Sequence, residues 1–184
     1  SKGDLFMYSL LATLDVKAWL WIIPAIFFFH EMEEWNILKW YHSTFNPPPK
    51  STLLSTRLWL FFISIVVCVL SSLAYVIPVK IISMLIVLFL ITFTGFNATQ
   101  HIYWFFAFKK YAPGVIFSSI GLAVDLILTI AILVQGLVNP IIVAAFAIAT
   151  VPMLVETFRA KNKSTKAFES MHEFTLKMVA FLEK

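Results

Sequence analysis

Several stretches of this chain are too long and too continuously apolar to belong to a soluble core, and they fix its solvent before any motif is considered. The runs at about Leu58–Val76, Ile81–Phe108 and Val115–Val134 each hold about the 20 residues that a helix needs to cross a hydrocarbon layer. Hydrophobic residues make up 60% of the 184 positions and charged ones 13%, more apolar surface than one soluble core of that size buries. In lipid every backbone N–H and C=O must find its partner within the chain, and unbroken apolar runs favour helices over an alternating barrel. The expected fold is all-α: a polytopic transmembrane helical bundle of about five spans over residues 1–163, plus a C-terminal amphipathic helix over 164–184.

The first span is expected at about Ala18–Tyr41, with Trp35, Trp40 and Tyr41 as interface anchors near its far end. Asn46-Pro47-Pro48-Pro49-Lys50-Ser51-Thr52 cannot continue a helix, because proline lacks an N–H and constrains the residue before it, so it reads as a loop. Pro78 marks a turn into span three, and Pro113-Gly114 punctuates before span four. Span five is expected at about Ile141–Phe158. In the tail, Phe168, Met171, Thr175, Met178 and Leu182 recur at spacings of three and four, which predicts an amphipathic helix on the cytoplasmic surface.

Lys39, Lys50, Arg57, Lys109, Lys110 and the cluster after Arg159 fall on one side of this topology, and Lys2, Lys17 and Lys80 on the other. Basic residues concentrate on the cytoplasmic side, so the N-terminus is expected outside and the C-terminus inside. No basic face with stacking aromatics exists, which argues against a nucleic-acid partner. Cys68 is the single cysteine, so it forms neither an internal disulfide nor a cysteine-based metal site.

The informative interruption is Phe29-His30-Glu31-Met32-Glu33-Glu34, where an imidazole and three carboxylates enter a span that must stay apolar to insert. Each such charge costs roughly 2.5 kcal/mol or more, so a function or a partner is expected. Glu33 and Glu34 stand three and four residues after His30 and share its face, while Glu31 is expected to point away. Histidine and glutamate on adjacent turns of one helix suit a divalent metal, and a free glutamate beside it suits a general base. The competing reading is a helix that leaves the membrane early, with Glu31 to Lys39 as a wet interfacial turn.

A second polar set lies in span three, where Asn97 and His101 are one turn apart, with Thr94 a turn earlier and Gln100 alongside. His30 lies nine residues before Lys39 and His101 eight before Lys109, and both spans run the same way, so their depths match to about 2 Å. One shared site is expected: His30, Glu33, Glu34 and His101 as metal ligands, with Glu33, Glu34 and Asn97 as catalytic candidates. The alternative for His101 is an interhelical hydrogen bond that holds the bundle together. Asp125 reads equally as a functional group or as the partner of a neighbouring Asn or Gln. Glu156 reads as an interfacial ion pair with Arg159 or a lysine, and His42 and His172 read as peripheral.

His30-Glu31-Met32-Glu33-Glu34, with Asn97-Ala98-Thr99-Gln100-His101 and Tyr111-Ala112-Pro113-Gly114, resembles the HXXEE-domain family of small bacterial integral membrane proteins over about residues 18–157. That resemblance implies a bacterial cytoplasmic membrane and supplies no substrate. A more distant similarity is to glutamate-type intramembrane peptidases of the CAAX-processing group, from which this chain differs by lacking the arginine after Glu33-Glu34 and a further histidine in a later span. Two functions stand ahead of a third, structural reading in which the polar groups merely fix helix register in an immunity or scaffold component. One is a metal-dependent intramembrane enzyme, a hydrolase acting on a lipid-like or membrane-peptide substrate, with zinc, or iron or manganese, bound. The other is a non-enzymatic ion- or proton-binding protein or transporter using the same groups, which would need to form a homodimer to enclose a pathway. Membrane lipids are partners in either case.

Overall fold

The computed structural model of the protein describes residues 2–183, and every regular element among them is a helix. Four helices are long and apolar enough to cross a membrane: α5 (Leu53–Val76), α6 (Lys80–Phe108), α7 (Val115–Val134) and α8 (Pro140–Ala160). They follow α1 (Lys2–Thr13), α2 (Val16–Trp19), α3 (Ile22–Glu33) and α4 (Ile37–Thr44), and precede α9 (Lys166–Leu182). A fifth candidate span exists only if the bent pair Gly3–Thr13 and Val16–Glu33, which turns through 81°, counts as one.

Local chemistry sets the boundaries. Thr52 and Ser55 cap α5 reciprocally, each side chain accepting the other's backbone N–H. Pro78 ends the same helix by holding Ile77 extended, with ψ of 121°. Asn139 caps α8 ahead of Pro140 at its first position, and Thr165 caps α9. The proline loop at 46–52 lies where the sequence places it.

The expected first span, Ala18–Tyr41, is instead three pieces. α3 ends at Glu33, and the helical arm Val16–Glu33 that it completes is about 27 Å long, a little short of the roughly 30 Å hydrocarbon core. The break at Glu34–Asn36 is held rather than frayed. Arg57 reaches over from α5, its guanidinium 4.7 Å from the Trp35 ring centroid, donating from Nε to the Trp35 carbonyl at 3.3 Å and from Nη2 to Asn36 Oδ1 at 3.1 Å. The chain then returns inward, burying Ile37, Trp40 and Tyr41. The early helix end is therefore present, with Glu34 buried on one side of the turn and Trp35 and Asn36 exposed on the other.

α1, which hydrophobic periodicity does not reveal, lies against α7, with Gln135 Nε2 donating to the Leu11 and Leu14 carbonyls at 2.8 Å each. Two cores result. One is aliphatic and lies among α3, α5, α6 and α7 around Phe27, Val67, Leu88 and Leu128. The other is aromatic, where Trp40, Tyr41 and Phe45 meet Trp104 of α6 and Phe168 of α9. The tail helix is docked as well as amphipathic: it packs on α5 and buries His172, Thr175 and Val179, whereas Leu182 at the end of the expected stripe is exposed.

Phe168 meets the rings of Tyr41, Phe45, Trp104 and His172 at centroid distances of 5.1, 5.7, 6.2 and 4.5 Å. Phe168→Ala is expected to weaken docking of α9 by about 2 kcal/mol, below the range for a fully buried phenylalanine because the ring is half-exposed. Faster tryptic cleavage at Lys161 and Lys163 would report it, and an unchanged cleavage rate would contradict it.

Candidate metal centre

His30 on α3 and His101 on α6 meet at the seam between the two cores, their rings edge to face at 4.8 Å, with Phe27 against one and Trp104 against the other. The matched depths expected from the lysine spacing are realised in this contact. Glu34, the residue that ends α3, turns its carboxylate between them: Oε1 lies 3.2 Å from His30 Nε2 and 2.9 Å from His101 Nε2. All three side chains are buried.

The outer nitrogens of the two rings are held by consecutive carbonyls of one loop. His30 Nδ1 lies 2.9 Å from the Gly114 oxygen and His101 Nδ1 2.7 Å from the Pro113 oxygen. A carbonyl oxygen only accepts, so each Nδ1 carries the proton. A neutral ring then presents an Nε2 lone pair toward Glu34, and two lone pairs face a carboxylate oxygen with no hydrogen between. His30 Nε2 and Glu34 Oε1 have no hydrogen-bond partner, and neither does Glu31 Oε2. Buried orphans of this kind cost roughly 1–3 kcal/mol each and are rare.

A cation resolves the conflict. His30, Glu34 and His101 offer ligand atoms within 4.8 Å of one another and could hold a metal ion. Four-coordinate zinc with bonds of about 2.0–2.1 Å separates neighbouring ligand atoms by about 3.3 Å, close to the two contacts seen. Histidine tied through Nδ1–H to a carbonyl is the usual support of a metal-bound ring.

The expected set of four ligands is divided. Glu33 points to the other side of α3, where its carboxylate accepts from the Ile116 and Phe117 amides at 3.2 and 3.1 Å and from the Tyr111 hydroxyl. It thereby caps α7, whose own N-cap, Gly114, has no side chain to do so. Burial, and then Glu33, push the Tyr111 hydroxyl up to about 12, so it remains a donor. Glu31, expected to point away, is 3% exposed, with Oε1 3.9 Å from His30 Nε2. Asn97 is half-buried one turn before His101, facing the same space.

That space is a cavity of about 240 Å³ lined by Glu31, Glu34, Asn97 and His101, with Trp59, Phe96 and Phe168 of the tail helix among its apolar walls. Asp125 is 4% exposed and accepts from Thr94 Oγ1 at 2.8 Å, so its partner is a threonine rather than an amide side chain. A space of about 20 Å³, room for one water, separates it from His30. Gln100 donates to Thr157 Oγ1 at 3.1 Å, joining α6 to α8. Glu156 accepts the Lys166 amide at 3.2 Å and so caps the tail helix, in place of the expected ion pair.

Sequence reasoning took Gly114 only as punctuation and His172 as peripheral, and the structure corrects both. Gly114 has φ of +90°, and a Cβ there would come within 2.5 Å of His30 Cε1 and 2.6 Å of Glu34 Oε1. Its sequence signal is the Pro-Gly pair. Gly114→Ala should therefore displace His30 and Glu34 as well as costing about 1–2 kcal/mol in backbone strain. The expected result is a lower melting temperature with metal affinity lost, and an unchanged affinity would contradict the packing.

His172 is 1% exposed, wedged between the Tyr41 and Phe168 rings with neither nitrogen bonded. Burial pushes it down from the usual 6.5 to about 4, against a smaller upward pull from Glu34. The folded state thus holds the neutral ring, and the docking of α9 keeps this contribution above pH 6.5 and loses it as pH falls from 6.5 toward 4. Tryptic cleavage of the turn before α9 should quicken over that window in the wild type more than in His172→Phe; equal pH dependence in the two would contradict it.

Comparison with known proteins adds a family. Residues 21–134, which contain His30, Glu33, Glu34, Asn97, His101 and the Pro113-Gly114 loop, match the family described as protein of unknown function with HXXEE motif. Neither the curated proteins nor the solved structures include a match to this chain. The matched segment is more than half of the chain, runs from α3 through α7 and holds both histidines of the buried cluster, and the protein belongs to the HXXEE family.

Proposed function

We propose that the protein is a metal-dependent hydrolase working inside a bacterial cytoplasmic membrane, near the cytoplasmic leaflet, on a lipid-like or membrane-peptide substrate. One observation carries the reading: two imidazole Nε2 atoms and one carboxylate oxygen converge, buried, at the wall of a largely apolar cavity. Each ring is fixed by a carbonyl in the tautomer that binds a cation. His30, Glu34 and His101 hold a divalent ion, zinc or else iron or manganese. When bound, such an ion polarises a carbonyl and acidifies a water.

The remaining work falls to this chain's own groups. Glu31 has a buried oxygen without a partner and lines the cavity, so it takes the proton of the attacking water while the water oxygen adds to the acyl carbon. That proton later passes to the leaving group as the acyl bond breaks. Asn97, on the same wall, donates its amide to the oxyanion that develops. Glu33 has no part in the chemistry and supports α7.

A second reading has one observation in its favour. The water-sized space between His30 and Asp125 would suit a proton relay in which the rings are imidazolium and no ion binds.

The purified protein should carry close to one equivalent of metal by mass spectrometry, and His30→Ala, Glu34→Ala and His101→Ala should each lose it. Glu33→Gln should keep the metal while melting at a lower temperature. A metal-free wild type that stays so after reconstitution would overturn the hydrolase and favour the relay.

A further inference from the structure

The bundle leaves most of the apolar surface of α1 uncovered. Leu5, Phe6, Met7, Tyr8 and Leu10 are between 52% and 79% exposed. At about 100° per residue these positions point all around the helix, so they do not form one stripe waiting for one neighbour. The aliphatic hydroxyls among them are satisfied within the helix: Ser9 Oγ donates to the Phe6 carbonyl at 2.8 Å and Thr13 Oγ1 to the Ser9 carbonyl at 2.9 Å. A surface of this kind calls for lipid or a partner rather than water.

Neighbouring contacts fix the height at which α1 sits. Gln135, which donates to the Leu11 and Leu14 carbonyls, is the C-cap of α7. α7 begins beside the Gly114 carbonyl that holds His30, and its 20 residues place Gln135 about 30 Å from that end. Lys17 Nζ donates to the Tyr75 and Ile77 carbonyls at 3.4 and 3.3 Å, where α5 ends. Trp19, Trp21 and Tyr75 are exposed at the same level, with the Trp21 and Tyr75 rings 5.8 Å apart, as aromatic residues are at a membrane–water boundary. The start of the arm Val16–Glu33 and the ends of α5 and α7 therefore mark one membrane face, the face away from the metal centre.

From that level α1 turns through 81° relative to the arm. The turn is set locally, because Asp15 is extended at ψ of 94° and caps α2 by accepting the Lys17 and Ala18 amides at 3.0 and 3.1 Å. An arm that crosses the membrane thus leaves α1 close to the membrane plane. Its 12 residues span about 18 Å, too short for a crossing of its own, and a dive into hydrocarbon would carry Asp4 with it. We infer that α1 is a monotopic helix bedded among the lipid headgroups and upper acyl chains of the face opposite the metal centre, with the lipid surface itself as its partner. Val16–Glu33 is then the fifth crossing, and α1 limits how far that arm can sink or tilt. None of this depends on the proposed chemistry.

The test uses the full-length protein in phosphatidylcholine nanodiscs, with Cys68→Ala to remove the single cysteine and a nitroxide on each member of the series Leu5→Cys to Ala12→Cys. Collision with oxygen, which favours hydrocarbon, against collision with a soluble nickel chelate, which favours water, reports the depth of each label. A helix in the membrane plane should give depths that oscillate with the helical period. Leu5 and Ala12 share a face and should agree in depth, although about 10 Å separates them along the axis. Every label should be shallower than that of Ile65→Cys, at the exposed middle of α5. Scanning the whole helix keeps the pattern readable where one label disturbs folding. A steady change of about 1.5 Å per residue would instead make α1 part of a span. Nickel contact as free as in solution at every position would put it in water. Spin–spin broadening that vanishes on dilution with unlabelled protein would assign its surface to a second copy. Each of these three results overturns the inference.

Discussion

The Glu34 oxygen lies 2.9 Å from one imidazole nitrogen and 3.2 Å from another, and neither ring can donate to it while neutral, because the proton of each is committed to a carbonyl on its far side. In water such a contact would relax by rotation or hydration. Here the rings are wedged between Phe27 and Trp104, so the polar atoms stay where they are. The tension requires positive charge at one point, and the rest of the architecture follows from holding that point in place. The loop at Pro113-Gly114 has to pass close enough to offer two successive carbonyls, which leaves no room for a side chain at 114.

The broken first helix serves the same end. A continuous helix through Glu34 would keep its backbone in register with α3, whereas ending at Glu33 frees Glu34 to turn toward His101 and lets α4 fold back with Tyr41 against the cavity. The exposed carbonyl at the break is met by Arg57, and the adjacent carboxylate of Glu33 is spent on the start of α7. Two neighbouring glutamates in the family motif thus do different jobs, one in the centre and one holding the helix that carries the carbonyl loop.

Much of this was legible in the sequence. α5 to α8 follow from hydropathy and prolines, and the pairing of His30 with His101 follows from their matched distances to flanking lysines. The errors come from treating the first span as a complete helix centred on His30. At about 100° per residue, Glu31 is 100° from His30 but only 60° from Glu34, while Glu33 is 100° from Glu34. Measured from Glu34, Glu31 falls on the side of the buried histidines and Glu33 on the side of α7. His172 was invisible for another reason: its burial depends on where a tail helix docks, and periodicity specifies a helix's apolar face without naming what that face meets.

That docking explains an otherwise odd division of polarity. Glu156 of α8 caps α9, and the Asn46 amide donates to the Asn162 carbonyl at 2.9 Å, so the tail starts from a turn pinned to both α8 and the proline loop. Phe168 then closes the aromatic core over the end of the cavity. A helix placed only to bind a membrane surface would turn its apolar stripe outward to lipid, but this one spends its most buried positions, His172, Thr175 and Val179, on the bundle. Burial raises the strength of every charge interaction at Glu34, because the low dielectric that makes an unpaired carboxylate costly also makes a bound cation count for more.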